Sequence, residues 1–397
     1  MSEWKKVKLG DVVSIKSGFS YKSEFLGKGD NLLLGMGCVS FKDSFVESGV
    51  RPYSQDCDPR YLAAPGDLVL ATRQQSDNLP ILAMPAIIPE KYRGKKIIIG
   101  TNLYKVENNS DIDNRFLFFV LKGREYVNYI RGVKTGTTVQ MVSKRNVEEF
   151  QFLCPPRQTR EKIVAILSRY DSLIENYRKQ IKLLEEAAQR LYKEWFVDLR
   201  FPGHENTKMV DGLPEGWERK KLVDMVDVQY GYAFDGMLFN SDGDGMPIIR
   251  IRNIPDGTTS DFTTEEAPAS YIVHNGDIVV GMDGIFHINS WSGGDAYLVQ
   301  RACSFRPKEE GIKGFIFQAI QEPIKFFEKT LVGATVAHLG KKHIDSIELV
   351  VPNNHKFFEA FQTMYIKRQG LLSQIRLLIE ARDRLLPRLM GGEMDVK

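Results

Sequence analysis

Two segments of the chain repeat apolar residues every seven positions, a period that indicates long helices with a coiled-coil seam. Between residues 157 and 196 the two apolar rows are Ile163, Tyr170, Tyr177, Leu184, Leu191 and Leu167, Ile174, Ile181, Ala188, Trp195. Between residues 353 and 390 they are Phe357, Met364, Leu371, Leu378, Leu385 and Phe361, Arg368, Ile375, Arg382, Leu389. Because two arginines interrupt the last row, we expect it to be less strictly apolar.

The length of these segments favours a rod over a place inside a globular core. The span 163–195 corresponds to about 50 Å of helix at about 1.5 Å per residue. Pro202-Gly203 ends the first helix, and Pro387 with Gly391-Gly392 ends the second. We therefore predict that the two helices pair as an antiparallel coiled coil within one chain.

The remaining segments alternate apolar and polar positions as strands do. Short β-rich runs lie at 67–72, 95–106, 277–282 and 296–305, separated by Gly and Pro. Short helices are predicted at 114–131 and 312–329. These patterns indicate an α+β fold with irregular β cores.

The chain also repeats itself, in four blocks that occur in the same order. The segment 4–21 matches 217–234, with Trp4 aligned to Trp217 and Gly18 to Gly231. PGDLVLA (65–71) matches NGDIVVG (275–281), 136–155 matches 333–352, and 180–191 matches 374–385. The chain is therefore two copies of one unit, with constant blocks separated by variable segments.

The repeat predicts four regions: a globular domain at 1–155, a long helix at 156–202, a second globular domain at 203–352 and a second long helix at 353–397. Their formal charges are +5, +3, −8 and +3 in that order. The acidic third region is unusual for a protein that binds DNA, although a cationic stripe can coexist with an acidic far side.

In both copies a Gly-Asp strand leads into a segment that differs, and such variable segments carry function on a constant scaffold. Arg, Gln, Asn, His and Asp are side chains that contact base edges. The candidates in these segments are Arg73, Gln74, Gln75 and Asn78 in the first copy, and Asp283, His287 and Asn289 in the second. The run IIRIRN (248–253) of the second copy adds Arg250, Arg252 and Asn253. Solvated loop residues are the alternative interpretation.

The block near 136 and 333 has a Gly-Thr or Gly-Ala-Thr turn followed by two cations. Hydroxyls, backbone N–H groups and cations suit phosphate contacts, although an ordinary turn into a strand explains the pattern equally well. The candidates here are Lys134, Thr137, Gln140, Lys144 and Arg145, and His338, Lys341 and Lys342.

Signatures of catalysis and of metal binding are missing from the sequence. It has no phosphate-binding loop, and its one Pro-Pro pair lacks the flanks of an amino-methyltransferase motif. The six histidines lack metal-ligand spacing. The four cysteines are scattered without C-x-x-C spacing, which favours a reducing compartment over a disulfide framework or a zinc site. Without an apolar leader or membrane-length run, we expect a cytoplasmic protein.

A duplicated α/β unit with a helical tail, PPRQTREKIVAILSRYDSLIENYRKQIKLLEEAAQRLYKEWF, and the C-terminal LIEARDRLLPRLMGGEMDV resemble the specificity subunits of type I restriction-modification systems. The resemblance covers nearly the whole chain. It implies that the globular domains are target-recognition domains, each contacting one half of an asymmetric bipartite DNA site, and that the helices are a spacer fixing the gap.

The resemblance also implies partners. Two methyltransferase subunits would use S-adenosylmethionine to modify adenine, and two restriction subunits would use ATP and Mg²⁺. This chain would hold no cofactor, no metal and no catalytic residue. Two other hypotheses stay open from the residues: a coiled-coil adaptor displaying two protein-binding domains, and a self-sufficient nuclease or methyltransferase.

Overall fold

A computed structural model describes residues 4–75, 81–330, 337–394 and 396. The chain forms two compact units, Met1–Ile174 with Leu378–Lys397, and Glu175–Leu377. Each unit combines one globular copy with part of both long helices. The α+β fold class is confirmed.

The first unit has twelve strands among the described residues, with short helices at both ends of the globular part. The strands are β1 (Lys5–Lys8), β2 (Val13–Ser17), β3 (Leu26–Leu34), β4 (Val50–Tyr53), β5 (Leu62–Ala63), β6 (Leu68–Ala71), β7 (Arg73–Gln74), β8 (Pro85–Ile87), β9 (Ile97–Ile99), β10 (Leu103–Asn108), β11 (Gln140–Met141) and β12 (Gln151–Cys154). The helices are α1 (Leu9–Val12), α2 (Asn114–Lys122), α3 (Arg124–Val133) and α4 (Lys144–Glu148), followed by the long α5 (Arg157–Tyr192).

The second unit repeats this order after a π-helical turn at Lys193–Val197. Its strands are β13 (Met209–Val210), β14 (Leu213–Pro214), β15 (Trp217–Lys221), β16 (Val226–Tyr230), β17 (Phe239–Asn240), β18 (Met246–Ile249), β19 (Phe262–Thr263), β20 (Ile272–Val273), β21 (Ile278–Gly281), β22 (Ile288–Ser290), β23 (Ala296–Leu298), β24 (Ala302–Pro307) and β25 (Glu348–Pro352). Its helices are α6 (Leu222–Met225), α7 (Lys313–Ala319), α8 (Gln321–Thr330) and α9 (Lys341–Asp345), followed by the long α10 (Lys356–Met390).

The sheets of the two units have matching topology. The order β2-β10-β6-β8 in the first corresponds to β16-β24-β21-β22 in the second, and the pair β1-β12 corresponds to β15-β25. Each unit also has a mixed sheet, in which β3 runs parallel to β9 and β18 runs parallel to β23. The internal repeat inferred from the sequence is therefore a repeat of structure.

The Gly-Asp strand is buried on both faces in each copy. Leu68 and Leu70 pack in one apolar cluster, whereas Val69 packs in another on the opposite face. Ile278 and Val279 divide in the same way. Burial on both faces explains why these strands read as continuous apolar runs rather than alternating ones.

Three sequence predictions need correction in detail. The predicted helix at 114–131 is two helices, α2 and α3, because Gly123 has an extended backbone (φ −65°, ψ 148°) between them. The predicted helix at 312–329 is likewise divided into α7 and α8. Each N-terminal alternating run is interrupted by one helical turn, α1 or α6.

In the first unit the beginning of α5 packs antiparallel against the end of α10. Lys162 Nζ donates to the carbonyl of Val396 at 3.3 Å, and Asp171 Oδ1 lies 2.8 Å from Arg382 Nη1. The residue number rises along one helix as it falls along the other. This is the direction that the sequence predicts.

In the second unit the end of α5 packs antiparallel against the beginning of α10. Glu185 Oε1 accepts a hydrogen bond from Arg368 Nε at 2.7 Å. About two turns further along α5, the Tyr192 and Phe361 rings lie 6.3 Å apart between centroids.

The arginines that interrupt the heptad row are part of these packed helix surfaces. Arg368 is only 8% exposed, and the Arg382 side chain is 14% exposed. Both pair with an acid on α5, so the described charges at these seam positions are neutralised. The row is less apolar than its neighbours, as expected, but it is no less buried.

Candidate nucleic-acid interface

In the first unit a two-stranded ladder collects predicted side chains from separate segments. β7 pairs with β11, which places Gln74 opposite Gln140. Gln140 Oε1 accepts hydrogen bonds from Gln74 Nε2 at 2.7 Å and from Lys134 Nζ at 3.0 Å. The fold therefore joins three of the predicted residues in one hydrogen-bonded group.

Gln74 is the inner member of that group. It is 4% exposed, and its Oε1 accepts the backbone N–H of Leu82 at 2.9 Å. These contacts favour a role in holding the ladder rather than in contacting bases. A pocket of about 290 Å³ beside Gln74 is lined by Lys134 and by Arg131. Arg131 was not predicted from the sequence, since an arginine at this place is typical of the polar side of a packed helix.

The other candidates of this segment lie where β7 leaves the sheet. Gln75 is exposed, and Arg73 is half-buried with Met141 as its ladder partner. Among the described residues, Arg73 Nε has no hydrogen-bond partner although it is buried. Asn78 lies outside the residues that the structure describes.

The turn and the basic pair of the first copy lie at the surface. Thr137 is exposed in the turn that leads to β11. Lys144 and Arg145 open α4, which is capped by Ser143 Oγ accepting the N–H of Asn146 at 3.1 Å. Both cations stand next to the ladder in the chain.

In the second unit an open groove of about 650 Å³ brings together candidates that are far apart in sequence. Arg250 and Arg252 line it together with His287. Gln300 and Arg301, from the turn between β23 and β24, complete the polar side of the groove. Gln300 and Arg301 were not predicted from the sequence, since they lie inside the β-rich run 296–305.

The cations of the groove differ in their partners. Arg252 donates to Asp261 from Nε at 3.1 Å and from Nη2 at 2.5 Å, and Asn253 Nδ2 donates to the same carboxylate at 3.1 Å. Burial works against ionisation of Asp261, but these hydrogen bonds outweigh it and hold its pKa below the ordinary value. Arg250 lies over the Phe239 ring and has no carboxylate within 4.0 Å among the described residues.

Asp283 links two further groups at the edge of this groove. Its Oδ1 lies 2.5 Å from His338 Nδ1, and its Oδ2 lies 3.2 Å from Arg301 Nη1. The backbones of Asp283 and His338 also form an antiparallel bridge. Two predicted residues are thus brought together, with an unpredicted arginine beside them.

The Asn289 side chain is hydrogen-bonded within the fold, whereas a base contact requires an available amide. Its Nδ2 donates to the carbonyls of Ile254 and Pro255, both at 2.9 Å. Its Oδ1 accepts from Arg368 Nη2 at 2.9 Å. With both ends of the amide in use, the contacts favour a role in attaching β22 to α10.

The basic pair of the second copy is exposed. Lys341 and Lys342 open α9, directly after Gly340. This is the place that Lys144 and Arg145 occupy in the first copy, so the structural equivalence extends to the surface cations.

The ladder of the first copy and the bridge of the second are the same feature. Arg73, two residues beyond β6, stands opposite Met141, and Asp283, two residues beyond β21, stands opposite His338. The preceding backbone is held alike, because Thr72 N–H donates to Asn102 O and Met282 N–H donates to Arg301 O. The side chains at the paired positions differ, and the pairing extends over two residues in the first copy but over one in the second.

The described residues offer little for other chemistry. They contain no group of three or more His, Cys, Asp or Glu side chains arranged for a metal ion. The four cysteines form no disulfide, and burial raises the pKa of Cys38 to about 12. In the described part of the chain, no helix combines the length and apolar character needed to cross a bilayer.

Comparison with known proteins gives a consistent result. A family model described as the type I restriction modification DNA specificity domain matches residues 1–186 and 214–380. Among curated relatives, the type I restriction enzyme MjaVIII specificity subunit of Methanocaldococcus jannaschii is 28% identical over 335 residues, covering 78% of this chain and 77% of the relative. The HindI specificity subunit of Haemophilus influenzae is 22% identical over 486 aligned positions, covering 99% and 100%.

A solved structure has the same fold. The S subunit of a type I restriction-modification system from M. genitalium aligns with a TM-score of 0.54 at 14% identity, covering 100% of this chain and 97% of that one.

Proposed function

The chain belongs to the type I restriction-modification DNA specificity family, and from this membership we propose that each of its globular copies contacts one half of an asymmetric bipartite DNA site. The observation that carries the proposal is the shared bridge position. The same backbone presents Arg73 and Met141 in one copy but Asp283 and His338 in the other. Different side chains at one position of a repeated frame are what two different half-sites require.

Base contacts in the first copy are assigned to the ladder and to its exit. Arg73 stands in the ladder opposite Met141 and Gln75 follows at its exit, while Lys134 and Gln140 stand beside them. Arginine and lysine donate to guanine O6 and N7, and glutamine pairs with adenine N6 and N7. Gln74 holds the ladder through its hydrogen bonds to Gln140 and Leu82 and is not assigned a base contact.

Base contacts in the second copy are assigned to the groove. Arg250 is the strongest candidate, because it forms no ion pair within 4.0 Å with a described carboxylate and its guanidinium lies over the Phe239 ring. His287 lines the same groove, and Asp283 with His338 stands at its edge. Asp261 partly neutralises Arg252 and engages Asn253, which therefore contribute less.

Phosphate contacts are assigned to the turn and the basic pairs. The exposed Thr137 with Lys144 and Arg145 serves the first half-site, and Lys341 with Lys342 serves the second. Such contacts orient a protein on the duplex without distinguishing sequences, and they make its affinity fall with salt.

Catalysis is assigned to partner subunits rather than to this chain. Two methyltransferase subunits would supply S-adenosylmethionine chemistry, and restriction subunits, where they are present, would supply ATP- and Mg²⁺-dependent cleavage. The long helices α5 and α10 would set the gap between the half-sites as a coiled-coil spacer and dock the methyltransferase subunits. The complex would act in the cytoplasm.

The alternative of a protein-binding adaptor has one observation in its favour, the charge of −8 across residues 203–352. Three arginines nevertheless line one groove of that domain. Family membership and this local concentration of cations favour DNA recognition over the adaptor.

A binding selection tests the proposal. The chain, assembled with methyltransferase subunits, is mixed with duplex DNA of random sequence, and bound DNA is sequenced. We expect two short, different motifs at a fixed gap, with affinity falling steeply between 50 and 200 mM salt. An assembled complex that enriches no sequence would support the adaptor instead.

A further inference from the structure

We propose that Arg301 is a DNA-contacting residue of the second copy and supplies there the cation that Arg73 supplies in the first. The inference rests on the proposed function and adds a residue that no sequence motif marks. It is carried by the backbone equivalence of the two copies, by the conformation of Arg301 and by the groups around its guanidinium.

The strand beneath the turn that holds Arg301 contacts that turn in the same way in both copies. Gly231 donates its N–H to Ala302 O, and a Cβ at Gly231 would lie 2.1 Å from Val299 O. Gly18 donates to Leu103 O in the equivalent contact, and its Cβ would lie 2.1 Å from Gly100 O. The aligned glycines therefore let one strand pass directly beneath the turn.

The two copies carry different side chains at the bridge position and at the last residue of the adjoining turn. In the first copy the bridge position holds Arg73 and the last turn residue is Asn102. In the second copy the bridge position holds Asp283 and the last turn residue is Arg301. The cation has moved from the strand exit to the turn next to it, and a carboxylate stands where the first copy has its arginine.

The backbone of Arg301 is in the left-handed region, with φ of +74°. Residues with a side chain rarely adopt this conformation, and glycine would adopt it without strain. Such strain persists only where surrounding contacts enforce it, and it concentrates at functional sites. Here the turn is held by Gln300 N–H donating to Tyr232 O and by Met282 N–H donating to Arg301 O, both at 2.8 Å.

One contact orients the Arg301 guanidinium and leaves it exposed. Its side chain is 59% exposed, and Nη1 lies 3.2 Å from Asp283 Oδ2. It lines the groove with Arg250 and His287. A single carboxylate contact orients the planar group and leaves most of its five N–H donors available.

The ligand atoms that suit this group are DNA oxygen and nitrogen acceptors. Guanine O6 with N7 accepts two parallel N–H donors, and a phosphate oxygen pair does the same. Both belong to the half-site of the second copy.

The test uses the full chain assembled with methyltransferase subunits, and it compares Arg301→Gly with Asp211→Gly. Asp211 has φ of +51° in the exposed β13–β14 turn, so both substitutions relieve left-handed strain. We expect both variants to melt at or above the wild-type temperature. Only Arg301→Gly should lose affinity for the selected site, by roughly 5- to 150-fold.

Arg301→Lys separates the two kinds of acceptor. If guanine is contacted, Arg301→Gly and Arg301→Lys both relax the selected sequence at one position of one half-site. If phosphate is contacted, Arg301→Lys keeps most of the affinity, whereas Arg301→Gly weakens all sequences and lowers the salt slope by about 1.

Unchanged affinity and motif in Arg301→Gly, while wild type selects a bipartite motif, would overturn the inference and leave the proposed function intact. A wild-type complex that selects no sequence would overturn both.

Discussion

The two globular copies share one backbone arrangement, the bridge beyond the Gly-Asp strand, and place opposite charges on it. The first presents Arg73 opposite the apolar Met141. The second presents Asp283 opposite His338, with Arg301 beside them from the adjoining turn. Since the frame is constant, a change of recognised sequence needs only the exchange of a few side chains at this position and not a new fold.

The comparison also explains why net charge misleads here. The second globular domain carries −8, against +5 for the first. Yet three of its five arginines line one groove, whereas its acids are spread over loops and helix ends or paired with individual cations. DNA responds to the local field, so the sign of a domain does not decide what its groove attracts.

The largest expected effect tests the shared frame itself. Gly231→Ala and Gly18→Ala each force a Cβ to 2.1 Å from a backbone carbonyl, which cannot rotate away. Each variant should lose about 3 kcal/mol of unfolding free energy and fail to recognise its own half-site. Thermal melting and the binding selection measure the two effects.

Gly132→Ala is the matched control for this pair. It lies within α3, and its Cβ would meet no atom within 4 Å. It should be neutral or gain up to about 1 kcal/mol through helix propensity. If one of the frame glycines accepts alanine at no cost, the two copies do not share the close approach.

A smaller effect is expected at the buried helix pairs. Asp171→Ala removes one partner of Arg382 and leaves Asp383 as its acidic partner among the described residues, which should cost about 2 kcal/mol. Replacing Asp171 and Arg382 together by Leu should be nearly neutral, because neither partner of the pair is then left without the other. Chemical denaturation measures both variants.

Lys179→Ala on the exposed outer face of α5 is the control, since Lys179 and Glu175 form a solvated pair. It should change stability by less than about 0.5 kcal/mol. A double replacement as damaging as Asp171→Ala would show that these ion pairs stabilise the helices in a way apolar contacts cannot.

The smallest effect distinguishes two arginines of the groove. Arg250→Ala should weaken binding of the selected site by about 1–3 kcal/mol. Arg252→Ala should cost less than about 1 kcal/mol, because Asp261 already engages that guanidinium. Equal losses in a titration with labelled DNA would mean that Arg252 leaves Asp261 to contact DNA.

Much of the fold follows from residue patterns. The repeat, the two long helices and their antiparallel direction are all visible in periodicity and internal matches. The break at Gly123 and the helical turns α1 and α6 are not, because each depends on which face the surrounding sheet covers. Tertiary packing decides such local choices over propensity.

The candidate site could be predicted only in outline. Sequence locates the variable segments, but it does not show that Gln74 and Asn289 are fully engaged inside the fold. Arg301 escaped notice for a related reason. Its importance comes from a left-handed turn and from Asp283 beside it, and neither is encoded in a local pattern.

The central claim is that each copy recognises its own half of the site, and mapping methylated adenines tests it most directly. The chain is co-expressed with its methyltransferase subunits, and modified positions are sequenced for wild type, Arg73→Ala and Arg250→Ala. The account predicts one asymmetric bipartite motif, degenerate in one half for Arg73→Ala and in the other half for Arg250→Ala. Degeneracy in the same half for both variants, or a symmetric wild-type motif, would contradict it.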